Sequence, residues 1–247
     1  MEEEKGRDME KGMLYGVGVG PGDPELMTLK ASRIIRECDE LLIPASSREE
    51  CRAYRIAREA LPEIGDKPCL CLDFPMTRNE AERTAGLKRI CGEIAEALGD
   101  GRKLAFLTIG DPSVYSTFGY LAGEARKQGI GVRMVSGITS FTEAAGLLLS
   151  PLCAGDEELH IIPSESDYQK ALALPGTKVF MKAGKKLAKL KEELALLPAE
   201  SFAVETVCDC GMETQRICRG LEEMPEEGYM AVVIVRPVTV TVIEAKI

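Results

Sequence analysis

The chain has almost no histidine: His160 is the single one in 247 residues. It also has no Cys-x-x-Cys pair, although it carries nine cysteines, Cys38, Cys51, Cys69, Cys71, Cys91, Cys153, Cys208, Cys210 and Cys218. Metal sites built on soft ligands draw on such pairs or on mixed Cys/His sets, so no metal is expected. Cys69-x-Cys71 and Cys208-x-Cys210 place alternate residues on one face of a strand, a spacing that burial alone also produces. An odd count gives no disulfide framework, and the thiols read as reduced core residues. His160 opens the apolar stretch His160-Ile-Ile-Pro163 and reads as structural.

Long apolar runs are missing as well. Nothing approaches the roughly 20 residues that span a bilayer, and Met1-Glu-Glu-Glu-Lys-Gly-Arg-Asp8 is too polar for a signal peptide. A cytoplasmic chain without membrane contact is expected. Basic excess is lacking: 31 Lys and Arg stand against 40 Asp and Glu, a net charge of -9. That balance, with no basic stripe interleaved with aromatics, argues against a nucleic-acid partner, though it leaves room for a local basic pocket. The dinucleotide fingerprint also fails. Gly-x-Gly-x-x-Gly from Gly16 would need glycine at Pro21, and from Gly18 at Asp23.

What the chain has is alternation of strand and helix patterns with short links, which makes an α/β protein with a largely parallel sheet. After a polar leader over 1–12, strands are expected at Met13–Gly20, Leu41–Pro44, Cys69–Phe74, Leu104–Ile109 and Gly131–Val135. Asp23 with Pro24 is expected to cap the helix that carries Met27, Ala31, Ile34, Ile35 and Cys38. Arg48, Arg52 and Arg55, at i, i+4 and i+7 of a helix, would share one face, either meeting ligand carboxylates or paired with Glu49, Glu50 and Glu59. A long helix is expected over 79–98.

The centre of interest is Leu104-Ala-Phe-Leu-Thr-Ile-Gly-Asp-Pro-Ser-Val-Tyr-Ser116. A strand meets a Gly-Asp-Pro breaker and enters a helix-like segment, with Asp111 as N-cap and Pro112 at the first helical position. In an open α/β sheet such a strand end faces the ligand crevice. From Ser136 strand spacing becomes less regular. A domain over 13–135 with a mainly parallel sheet is therefore expected to be followed by a second α/β domain over 136–247 with a mixed one. Its strands are expected at His160–Ile162, Lys178–Met181, Phe202–Val207, Met230–Val235 and Val238–Ile243, with a helix over Lys185–Leu197.

Four stretches together resemble the tetrapyrrole methyltransferases: Gly16-Val-Gly-Val-Gly-Pro-Gly-Asp-Pro-Glu-Leu-Met-Thr28, Gly110-Asp-Pro-Ser-Val-Tyr115, Ser136-Gly-Ile-Thr-Ser140 and Val179-Phe-Met-Lys182. The likeness runs from about Leu14 to Arg236, and departs where Ser136 stands in place of the usual proline. Ala53-Tyr-Arg-Ile-Ala57, Phe74-Pro-Met-Thr-Arg78 and Gly110 to Phe118 are similar to the branch that methylates C20 of precorrin-2 or its cobalt-chelated counterpart. A relative of other position specificity, such as a uroporphyrinogen III methyltransferase, and a ribosomal-RNA ribose methyltransferase of similar fold are the alternatives. A dinucleotide oxidoreductase or nucleotide-binding module is disfavoured by the failed fingerprint.

The resemblance implies two α/β domains with S-adenosylmethionine and an anionic tetrapyrrole in the cleft between them, S-adenosylhomocysteine as product, and a homodimer. Position by position it implies donor contacts at Pro21, Gly110, Asp111, Pro112, Val114, Tyr115, Ser116, Thr139, Ser140, Met181, Ala203 and Ala231. Met181, Ala203 and Ala231 would otherwise read as strand core. Arg52, Arg55, Arg78 and Lys182 are candidates for docking the substrate's carboxylates. Asp23, Asp111 and Tyr115 are the candidates for the base that removes the C20 proton.

Overall fold

A computed structural model describes residues 12–238 apart from 76, 100, 164, 165 and 229, together with all of their side chains but that of residue 185. The leader, save residue 12, and the tail strand beyond residue 238 lie outside the described residues. The chain divides into two compact units, the first ending at Thr139 and the second beginning at Ser140.

In the first unit β1 (Met13–Gly18), β2 (Glu40–Ile43), β3 (Cys69–Cys71), β4 (Lys103–Thr108) and β5 (Gly131–Val135) form one sheet in the order β3-β2-β4-β1-β5. Every pairing is parallel, so each link must cross back over a face. α1 (Leu29–Glu37) and α2 (Arg52–Ala60) do so on one side; α3 (Glu80–Leu98) and α4 (Thr117–Lys127) do so on the other. Side-chain alternation sorts the strands between the two layers. Val17, Leu41, Ile43, Ala105 and Leu107 pack with Ala31, Ile35, Tyr54 and Ala57. Leu14, Leu42, Leu104 and Phe106 pack with Ile90, Ile94, Phe118 and Leu121.

From β1 the chain moves to β2 on one side, and from β4 it moves to β5 on the other. Right-handed crossovers then put the helices on opposite faces. Neighbouring strands β1 and β4, in register from Met13↔Lys103 to Gly18↔Thr108, are therefore the point where the winding reverses. The loops at their carboxyl ends diverge there.

Three local expectations are corrected. Asp23 caps only a single 3-10 turn, Pro24–Leu26; α1 is capped instead by Thr28, whose hydroxyl accepts from the amide of Ala31. Asp111 and Pro112 do not begin a helix: α4 starts at Thr117, and its cap is Ser116, which accepts from the amide of Phe118. Arg48 precedes α2 and does not share a helical face with Arg52 and Arg55. Its guanidinium donates to the carbonyls of Gly65 (2.7 Å) and Lys67 (2.6 Å) and lies 5.6 Å from the Tyr54 ring centre. It braces the approach to edge strand β3 rather than facing a ligand.

The second unit is a mixed sheet of β6 (Leu159–Pro163), β7 (Thr177–Met181), β8 (Phe202–Cys208), β9 (Arg216–Arg219) and β10 (Ala231–Pro237), ordered β6-β7-β10-β8-β9. Only β6 and β7 pair in parallel; β10 is antiparallel to both its neighbours. α5 (Ser140–Leu147) covers one face with Ala144 against Val179, Val207, Val232 and Ile234. The short α6 (Tyr168–Leu172) and α7 (Leu187–Ala195) cover the other, over Phe180, Val204 and Val233. The helix expected over 185–197 is shorter, entered through a 3-10 turn at Gly184–Lys186. β9 and α6 carry too few periodic residues to be read from the sequence.

Candidate active site

Where the winding reverses, three loops of the first unit cross with almost no side-chain bulk between them. The amide of Gly110 donates to the carbonyl of Gly20 at 2.7 Å, and that of Val19 to Thr108 at 3.0 Å. A methyl group on Gly18 would fall 2.4 Å from the Gly110 oxygen, and one on Gly137 would fall 2.1 Å from the same atom. Real atoms do not approach so closely, so these positions admit only glycine. Gly110 itself has φ +70, where a side chain is strained. Gly16 differs: the Phe118 ring fills its side-chain space at 2.2 Å. The alternate glycines thus make room for the protein's own backbone and core, and the Gly110 amide is already engaged.

Asp111 ties the crossing together. It is 8% exposed. Its Oδ1 accepts from the Ser113 amide (2.7 Å) and hydroxyl (2.5 Å), and its Oδ2 accepts from the Gly137 amide (3.0 Å). A second tie joins the loops after β1 and β5, because the Thr28 hydroxyl donates to the Ser136 carbonyl at 3.3 Å. A third is the contact between the Thr108 and Ser116 hydroxyls at 2.9 Å. The roles of Thr28, Thr108 and Ser113 were not read from the sequence; a hydroxyl residue directly before the periodic run from Leu29 was the available signal for Thr28.

Gly110, Asp111 and Pro112 are buried within the crossing, whereas Ser113 and Tyr115 are exposed, with Val114 and Ser116 between. Tyr115 adopts φ +47 and is 39% exposed. A left-handed aromatic residue stores strain of about 1–3 kcal/mol, and here it holds a ring at the loop tip. Pro21 is buried beside Gly20. Asp23 accepts from the amide of Glu25 at 2.8 Å, which accounts for it as a turn former. Asp111, with both oxygens occupied, is likewise a poor candidate for a proton acceptor. Thr139 closes the first unit and Ser140 opens α5. Arg52 starts α2 just past the carboxyl end of β2, Arg55 stands one turn further, and Arg78 follows β3; all three are exposed.

The second unit does not gather its candidates. Met181 ends β7 in register with Val232, which is in register with Val207. Ala203 lies four residues back along β8, opposite Arg236, which is about 13 Å away at strand rise. Ala231 is next to Val232 and so faces the other way, 3% exposed in the core beneath α7, while Met181 packs on the α5 side. Ala203 and Ala231 therefore cannot lie under one ring beside Met181. Lys182 follows Met181 with φ +54 and is exposed. Among the described residues no three His, Cys, Asp or Glu side chains gather as metal ligands, and no helix is long and apolar enough to cross a membrane.

Residues 13–225 match the family of Tetrapyrrole (Corrin/Porphyrin) Methylases. The chain belongs to that family. Among its relatives, a probable cobalt-precorrin-2 C(20)-methyltransferase of Methanocaldococcus jannaschii is 31% identical over 230 residues, covering 90% of this chain and 95% of that one. A cobalt-precorrin-2 C(20)-methyltransferase of Salmonella typhimurium is 31% identical over 192 residues, 74% of this chain and 78% of its own length. Among solved structures, a uroporphyrin-III C-methyltransferase of Thermus thermophilus in complex with S-adenyl homocysteine superposes with a TM-score of 0.67 at 22% identity, covering 91% of this chain and 97% of that one. A tetrapyrrole methylase of this family thus carries its glycine crossing where β1 and β4 part.

Proposed function

We propose that this tetrapyrrole methylase transfers the methyl group of S-adenosylmethionine to C20 of precorrin-2, in its cobalt-loaded or metal-free form, within cobalamin biosynthesis. The observation that carries the reading is the match over nearly the full length of both chains to a relative named for C20 methylation of cobalt-precorrin-2. The donor site is the rim of the β4 loop. Between Phe106 and Phe118 the chain has no Lys or Arg, and it exposes the Tyr115 ring. A cationic sulfonium suits such a loop, because an aromatic face attracts a cation and the loop itself carries no like charge.

When bound, the donor supplies a methyl group already activated on a positive sulfur. The chain then has to orient, dock and exclude water. Orientation comes from the backbone crossing of Gly18, Gly110 and Gly137. Arg52, Arg55 and Arg78 supply cationic donors for the substrate's carboxylates against a chain of net charge -9. Lys182 and Met181 belong to the same proposal, while Ala203 and Ala231 leave it. The meso carbon of a reduced tetrapyrrole is electron-rich through the pyrrole nitrogens and attacks without a strong base, so the proton that leaves C20 passes to a weak acceptor or water. The reading includes a cytoplasmic homodimer.

Incubation with labelled S-adenosylmethionine and precorrin-2, with and without cobalt, followed by NMR location of the new methyl, tests the proposal. Label at C20 is expected. Label at another carbon would move the chain to a different position specificity, and no transfer would reject the reading.

A further inference from the structure

We infer that Asp111 is a positioning residue for the methyl donor rather than the proton acceptor of the reaction. The inference rests on the proposed donor site and adds how that site is held. A carboxylate that is 8% exposed and accepts from the amide and hydroxyl of Ser113 through one oxygen and from the amide of Gly137 through the other has three of its about four acceptor positions taken by the protein itself. Its bonds join two loops separated by 26 residues in sequence. The Gly110 oxygen is packed against Gly18 and Gly137 with no room for a methyl group at either. The two glycines let the loops after β4 and β5 approach this closely, and the charge-assisted bond from Gly137 to Asp111 holds them there. The Asp111 carboxylate thereby sets the spacing between the two loops. Ser113 and Tyr115, the exposed residues of the rim, and the half-buried Val114 between them hang directly from the Asp111 turn: the Val114 amide donates to the Asp111 carbonyl at 3.2 Å. Movement of Asp111 therefore moves the donor's seat without touching the reacting carbon.

Asparagine separates the two roles. It keeps one acceptor oxygen, so it can satisfy Ser113 or Gly137 but presents an N–H to the other. Donor affinity is measured by titrating S-adenosylhomocysteine into wild type, Asp111→Asn and Asp111→Ala, with steady-state kinetics in parallel. A positioning role predicts that the dissociation constant and the KM for the donor rise about 10-fold or more in Asp111→Ala and by less in Asp111→Asn, as expected for lost hydrogen bonds to a charged group. It also predicts that kcat at saturating donor stays within about 3-fold of wild type in Asp111→Asn, since only interactions specific to the transition state lower kcat. Unchanged donor affinity with kcat reduced about 100-fold or more in Asp111→Asn, the scale of general-base loss, overturns the inference and makes Asp111 the base. Should the variants fail to fold, amide hydrogen exchange in the unaltered protein decides: the Gly137 amide is protected without ligand if the clamp exists, and exchange at an open-loop rate overturns it. Wild type that binds no S-adenosylhomocysteine rejects the donor site itself, a result distinct from variants that bind as well as wild type.

Discussion

The two units use their sheets differently, and the difference explains which residues could be located from motifs. In the first unit all strands run in parallel, so every carboxyl-terminal loop emerges at the same edge. Residues read from separate motifs, Gly18, Gly110, Asp111 and Gly137, then come together without any knowledge of register. In the second unit β10 runs against both β7 and β8. A motif at one end of a strand can then face either edge and either side, and so Ala203 and Ala231 do not come together beside Met181. A parallel sheet turns sequence order into spatial neighbourhood; an antiparallel one demands the register first.

The sharpest way to break the comparison is to remove the core under the crossing. Phe118 sits against Gly16 and packs on Phe106 with ring centres 5.4 Å apart. Phe118→Ala should cost about 3–5 kcal/mol in chemical denaturation, and donor affinity should fall with it. A loss below about 1 kcal/mol would show that Gly16 is small for another reason.

Next come two glycines that each leave no room for a methyl group, Gly176 also standing at φ +66. Gly18→Ala places a methyl 2.4 Å from the Gly110 oxygen, and Gly176→Ala places one 2.1 Å from the Glu158 oxygen in the second unit. Each should destabilise by about 3 kcal/mol. At a temperature where both remain folded, Gly18→Ala should lose S-adenosylhomocysteine binding and Gly176→Ala should keep it. Equal losses would erase the distinction between site and scaffold.

The alanines sharpen the antiparallel half. Ala231→Leu should cost about 1–3 kcal/mol by overpacking the core beneath α7, whereas Ala203→Leu, on an exposed position, should change stability by under about 0.5 kcal/mol. Ala203→Leu should also leave the donor's dissociation constant unchanged, and an increase of about 5-fold would return Ala203 to the site; 5-fold is about 1 kcal/mol.

The smallest effect concerns Lys178, buried in β7 at 6% exposure, where burial pushes its ammonium below the usual 10.5. The native protein holds this proton more weakly than the unfolded chain does, so the group opposes folding at neutral pH. The penalty fades as pH rises through the native value toward 10.5. Lys178→Met should therefore raise stability by up to about 1 kcal/mol at pH 7, with a smaller gain at pH 10. A loss at pH 7 would mean that the ammonium is compensated.

Much of the fold was legible because its signals are local. The apolar run from Leu104 and the periodic Leu87, Ile90, Ile94 and Leu98 define β4 and α3 almost to the residue. Loop chemistry was less so. Asp111-Pro112 has the composition of a helix start, yet the Asp111 side chain is drawn to Gly137, a partner that no local rule supplies, and Ser116 takes the cap. Arg48 leaves the expected helical face for the same reason, since its acceptors at Gly65 and Lys67 lie on the far side of α2 in sequence. Side chains whose decisive bond is non-local are the ones a sequence pattern misplaces.

The most direct test of the account is a crystal structure of the full chain with S-adenosylhomocysteine. The account predicts the amino-acid portion of the ligand against Ser113 to Ser116 at the carboxyl end of β4, with the Gly137 amide still bonded to Asp111. Ligand bound away from that loop, or a crossing rebuilt on binding with the Asp111 bond broken, would contradict it.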